Sequence, residues 1–440
     1  MGGGRTADRD TRDRMACERA RLSDRRPAMT LSIPDQDFNM THAAAIPAPD
    51  NDTIALKEIV RRVDAVIDTA LAESRVVGAT VLVAVDGETI YARAAGNADR
   101  EAARPTALDT LFRLSSVSKV YVSVAALVLV RQGRLALDAP VTTWLPEFTP
   151  AGSGGTQPAI TVRHLLSHTA GLGYGFLEPA DGPYHRAGVS DGMDLSDISL
   201  AENVRRIATV PLLFAPGTSW GYSLATDVLG AVVERASGLD LAQAVKALVT
   251  EPLGLKDTGF TVADPGLAVG YINEATGPRR MADLEIVRLP FMPDADGMRM
   301  ALSRAFDDRA YPSGGAGMIG AAGDLLRLLE ALRTGGAPLL TPALVDEMAR
   351  DQTVGMDLLP WPGRGFGLGF TVLRDPKAAA SPESVGTWRL GGAYGHSWFV
   401  DPRRKLTAVA FTNAGLEGQS PGGRFPDDLT RAIYASRREA

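Results

Sequence analysis

The chain has a single cysteine, Cys17, among 440 residues, which excludes an internal disulfide framework and a thiolate metal cluster. It also lacks a long hydrophobic run. The most apolar stretch, residues 120–130, falls far short of the roughly 20 residues that span a bilayer, so no transmembrane segment is expected. Positive charge is not in excess: 46 Lys and Arg face 52 Asp and Glu, a net charge of −6. Such a balance offers no basic field that would collect nucleic acid or an anionic membrane. What remains is a composition of 45% hydrophobic and 22% charged residues, enough to bury a large core as one two-lobed unit or two domains.

The first fifty residues differ from the rest. Arginine and aspartate alternate as far as Arg26, and a polar run containing proline continues to Pro49. We read residues 1–50 as a disordered leader. A secretory signal needs an apolar core of about 7 to 15 residues, and none precedes residue 50, so a cytoplasmic location is expected. Asp52 or Thr53 then caps an amphipathic helix with Ile54, Ile59, Val63, Val66, Ile67 and Leu71 at helical spacing. Residues 79–85 and 89–94 are β-branched runs flanking Asp86-Gly87, a hairpin signal. Near the far end, residues 366–373, 387–390, 397–400 and 406–411 read as strands, and 426–436 as a closing helix. Helical patterns fill the middle at 162–167, 225–236, 241–249 and 324–332. The fold class expected is α+β. Residues 51–440 form one catalytic unit, in which 51–150 and 330–440 build an antiparallel sheet flanked by helices and 151–329 form an inserted all-α lobe. The site is expected in the cleft between these lobes.

Chemistry is concentrated in Leu114-Ser115-Ser116-Val117-Ser118-Lys119, which opens an almost wholly apolar segment running to Val130, with Gly133 as its stop. A helix apolar on all sides belongs in a core. Ser116 and Lys119, three apart, share one face of it. Burial disfavours an ammonium, which is what a general base near neutral pH requires. A second segment, Pro216-Gly217-Thr218-Ser219-Trp220-Gly221-Tyr222-Ser223-Leu224, places Tyr222 at a turn-to-helix junction, where a phenol could share the proton traffic of Ser116.

In this order the Ser116-to-Lys119 box, the turn leading to Tyr222-Ser223-Leu224, and Gly391-Gly392-Ala393-Tyr394-Gly395-His396 resemble the serine β-lactamases of class C and, more closely, the family VIII carboxylesterases. Residues 109–114, 165–172 and 314–318 agree, so the resemblance covers nearly all of the chain beyond residue 50. It implies a penicillin-recognising fold, an acyl-enzyme on Ser116, Lys119 and Tyr222 acting together as base and acid, and an oxyanion hole from the amides of Ser116 and Ala393. Gly391 and Gly392 would let the backbone approach a ligand closely. It implies a small-molecule ester substrate, no metal and no organic cofactor, and it fixes no oligomeric state.

The departures from the lactamase pattern set the substrate expectation. Leu224 stands where those enzymes have Asn, and Leu390-Gly391-Gly392 where they have Lys-[Thr/Ser]-Gly. A charged penicillin loses both anchors, whereas a neutral ester loses little. Hydrolysis of short-chain or aryl esters is therefore expected, with weak β-lactam cleavage, peptidase action or acyl transfer as variants of the same machinery. Two readings of other kinds compete with it. Gly217-Thr218-Ser219-Trp220-Gly221 is a literal G-x-S-x-G, which in an α/β-hydrolase would make Ser219 the nucleophile. A non-catalytic scaffold should instead have lost one of Ser116, Lys119 and Tyr222. His164 and His168, four apart, lack the glutamate and third ligand of a zinc site; His168 is read as fixing its own loop.

Overall fold

Asp86 and Gly87 both take left-handed backbone angles, φ 52° and 89°, which is what a tight two-residue turn between twisted strands demands. The turn joins β1 (Gly78–Val85) to β2 (Glu88–Asp99) in a computed structural model that describes residues 51–263, 266–290 and 292–435. The leader expected at 1–50, with Cys17, lies outside the described residues. So does Phe291.

The hairpin belongs to an eight-stranded antiparallel sheet. β3 (Arg104–Pro105) lies at one edge, and five strands come from the far end of the chain: β4 (Arg364–Phe366), β5 (Thr371–Leu373), β6 (Trp388–Gly392), β7 (His396–Asp401) and β8 (Leu406–Thr412). Their order is β4-β5-β6-β7-β8-β1-β2-β3. The two chain ends meet where β1 pairs with β8, Ala79 opposite Thr412. The single strand expected over residues 366–373 is instead the hairpin β4-β5. Gly369 at φ 116° and the bond from Gly367 N–H to the Phe370 carbonyl reverse the chain in the middle of the apolar run.

Both faces of the sheet are covered, so β1 reads as a continuous buried run instead of an alternating one. Val81 and Val83 pack under α1 (Asn51–Ala72) and α6 (Arg424–Tyr434), with Val63, Ile67, Phe425 and Leu429. Leu82 and Ala84 face the other way into the main core, which holds α2 (Ser118–Arg131), α4 (Ala225–Ser237) and α5 (Ala322–Arg333). Residues 118–129 of α2 are all buried, as its composition required. The short α3 (Val162–Leu166) is closed by a reciprocal cap between Thr161 and His164.

The middle of the chain is not all helical. It carries the short strands Tyr271–Glu274, Gly277–Arg280, Glu285–Val287, Met298–Met300 and Ile319–Gly320, two of which pair outside the segment. Ile319–Gly320, for example, pairs with Phe112–Arg113 just ahead of Ser116. No helix among the described residues is long and apolar enough to cross a membrane.

Candidate active site

Ser116 lies in a single 3-10 turn, Ser115–Val117, that runs directly into α2. Ser115 takes φ 41°, a strained angle for a side-chain-bearing residue, at the point where the chain bends from Phe112–Arg113 into the helix. The spacing expected from the sequence holds: Lys119 Nζ is 3.3 Å from Ser116 Oγ. Lys119 is fully buried. Its Nζ also donates to the Gly315 carbonyl at 2.8 Å, and it sits 4.7 Å from the Tyr222 ring centroid and 5.5 Å from that of Tyr174. The structure thus brings Ser116, Lys119 and Tyr222 side by side.

It missed the rear wall of the site. A methyl group at Gly315 would meet Asp227 Oδ2 at 2.6 Å, Tyr174 Oη at 3.1 Å and Lys119 Nζ at 3.5 Å, so a glycine is needed for the carbonyl to reach the lysine. Burial pushes the Asp227 carboxyl up to about 6, against the pull of Ser313 and Lys119. Asp191 is raised by burial to about 7, although the Gly175 and Phe176 amides donate to it at 2.9 and 2.8 Å. Burial, together with Tyr222, Asp227 and Asp191, holds the Tyr174 phenol well above its ordinary range. Tyr174 could be suspected from the sequence only as an aromatic near the 165–172 stretch; Asp227 sits in a helix with nothing local to mark it.

Strand β6 carries the third box alongside. Gly391, Gly392 and Ala393 all line the cavity with Ser116. The two glycines are also needed by the fold itself. A Cβ on Gly392 would lie 2.3 Å from the Leu114 carbonyl, and one on Gly391 would lie 2.2 Å from the His396 carbonyl and 2.5 Å from that of Ser420. The strand is thus threaded against the protein's own backbone beside Ser116. His396 buttresses the same place, its Nε2 donating to the Arg113 carbonyl at 2.7 Å and its ring packing on Phe112 and Phe411. Burial lowers it to about 4, so it stands neutral.

The cavity above Ser116 measures 720 Å³. Its walls are largely apolar, with Phe176, Tyr184, Met193 and Met298, the indoles of Trp220 and Trp361, and Leu390 among them. At a further end stand Arg364, Arg389 and Asp427. The two arginines are bound to Glu383, at 3.0 Å and 2.5 Å. Ser219 is not among the residues lining this cavity. No strand leads into it, since residues 211–221 form turns, and the main sheet is antiparallel. The α/β-hydrolase alternative therefore fails on the strand-to-helix elbow it needs. His164 serves its helix cap and His168 faces Tyr222, so the two do not converge.

An antiparallel sheet made by both chain ends, with a serine and lysine at the head of a central buried helix, defines the class of penicillin-recognising serine enzymes. The family model described as Beta-lactamase matches residues 63–429, and the chain belongs to that family. It is 53% identical over 379 residues to Esterase EstB of Burkholderia gladioli, covering 86% of this chain and 95% of that one. Among solved structures, EstCE1, a hydrolase with promiscuous acyltransferase activity, superposes with a TM-score of 0.83 at 46% identity over 87% of this chain and all of that one. The Monacolin J acid methylbutanoyltransferase of Aspergillus terreus is 29% identical, covering 76% of this chain and 84% of that one.

Proposed function

We propose that this chain is a serine carboxylesterase that hydrolyses short-chain or aryl esters of small molecules through an acyl-enzyme on Ser116. The observation that carries the reading is the 3.3 Å approach of Lys119 to Ser116 Oγ beneath an apolar cavity. In this reading Ser116 Oγ attacks the ester carbonyl while its proton passes to the Lys119 and Tyr222 pair. The amides of Ser116 and Ala393 hold the oxyanion, each such donor contributing on the order of 3 kcal/mol to the transition state. The same pair returns the proton to the departing alkoxide, leaving the acyl group on Ser116. A water, deprotonated with help from Tyr222, then releases the acid and restores Ser116.

Leu224 and Leu390 support an ester over a β-lactam, because neither can hold a substrate amide or carboxylate. Transfer of the acyl group to an alcohol in place of water is a second reading. It is supported by the apolar cavity walls and by the relatives whose names include acyl transfer.

The test is to incubate the protein with an aryl short-chain ester and with a serine-directed phosphonate, and to locate the label by peptide mass. Label on Ser116 with ester turnover, abolished in Ser116→Ala and retained in Ser219→Ala, is the expected result. Turnover surviving in Ser116→Ala overturns the reading.

A further inference from the structure

His168 is wholly buried and grips the turn that carries Tyr222 from both sides. Its carbonyl accepts from Gly221 N–H at 3.0 Å. Its Nδ1 accepts from Ser223 N–H at 3.2 Å and lies 3.1 Å from Ser223 Oγ. Between these two anchors its ring lies 5.0 Å from the Tyr222 ring, tilted by 33°, while Phe366 meets it edge-on at 5.0 Å. The residue before the phenol, the residue after it and the phenol ring itself are thus all held by one side chain and its own carbonyl. We propose that His168 is the positioning residue of Tyr222, fixing where the phenol stands relative to Lys119 and Ser116; this rests on the reading of Tyr222 as a carrier of the proton.

Two further observations support the assignment. An imidazole nitrogen accepts from an N–H only when it is unprotonated, and burial, reinforced by Lys119, keeps His168 well below its ordinary range. The backbone at His168 also sits at φ 55°, a strained region for a residue with a side chain. Three residues on, Gly171 takes φ 83° as a glycine. Strain of this kind persists where surrounding structure imposes it, commonly at functional sites.

The test is a double-mutant cycle with an aryl ester, reading kcat, KM and the melting temperature of each variant. His168→Phe keeps a ring against Tyr222 and Phe366 but removes the acceptor, and should lower kcat on the order of 100-fold with KM nearly unchanged, the scale of a misplaced catalytic group. His168→Asn puts an amide oxygen near the Nδ1 position and suits a left-handed backbone; it should recover about tenfold of that loss. In a Tyr222→Phe background, neither substitution should lower kcat further, because interacting residues are not additive. An equal loss in both backgrounds, or wild-type kcat in His168→Phe, overturns the proposal. His168→Asn carries the same comparison if the phenylalanine variant does not fold. Full activity of Tyr222→Phe by itself would instead sink the role assigned to Tyr222, and this proposal with it.

Discussion

Glu383 and Lys119 are charged groups buried in opposite ways. Burial alone would raise the Glu383 carboxyl, but Arg389 and Arg364 outweigh it and hold it at about 2. Ser381 Oγ donates to it as well, at 2.7 Å, and Arg389 is further bound to Ser420 and Thr430. Lys119 is just as deeply buried, yet its hydrogen bonds run to a carbonyl and a hydroxyl, and aromatic faces complete its surroundings. The first arrangement neutralises a charge and ties β4, β6 and α6 together. The second leaves an amine within reach of a hydroxyl, which is costly for folding and useful for proton transfer. Burial of a charge therefore does not by itself distinguish architecture from chemistry; the partners do.

The contrast can be broken by substitution. Lys119→Met should lower kcat/KM by about a thousandfold, the scale of a lost general base. Its melting temperature should hold or rise, because an apolar side chain of similar length replaces a buried amine. A large loss of stability would place Lys119 with Glu383 among the structural charges. Glu383→Gln should do the reverse, losing about 3–5 kcal/mol in urea unfolding because two arginines are left under-neutralised, while the folded enzyme keeps its kcat. A normal unfolding midpoint in that variant would remove the architectural role.

A finer test concerns Asp227, the carboxyl nearest the lysine wall. Its folded value of about 6 lies above the usual 3.8, so between these values the unfolded chain gives up its proton first. Stability from this group is then full below about pH 4 and falls as pH rises to about 6, by about 3 kcal/mol in total. Asp191, raised to about 7, adds a slope of the same sign. Urea midpoints measured across that range should therefore fall less steeply in Asp227→Asn than in the wild type. Parallel curves would mean that Asp227 is not held in its proton-bearing form.

The parts of the site that were legible in the sequence are those that local geometry dictates. Ser116 and Lys119 are one helical turn apart, Asp86-Gly87 sets its own hairpin, and the apolar run after Lys119 leaves no solvated face for the lysine. Tyr222 was readable because a Pro-Gly turn precedes it and a helix follows. The remainder depends on partners remote in the chain. The Gly315 carbonyl comes from 196 residues beyond Lys119, and Asp227 is one polar residue within a helix that is otherwise largely buried. The strands Glu285–Val287 and Met298–Met300 have three residues each, too few to show a period of two. Over residues 366–373 the apolar run implies one strand, but the glycines at 367 and 369 divide it into a hairpin.

The pairing of β1 with β8 has a consequence for biosynthesis. A ribosome delivers Ser116 and Lys119 early, together with the helix that bears them, but β1 lacks one of its two sheet neighbours until Leu406–Thr412 emerges. The strand of Gly391 and Gly392, and the His396 prop against the Arg113 carbonyl, also arrive late. Contacts so distant in sequence make for slow closure, and a nascent chain of this kind exposes unpaired strand edges while it waits. Ser116 is thus made long before the strands beside it, and a chain released short of its last hundred residues would hold Ser116, Lys119 and Tyr222 without five of the eight strands of the sheet.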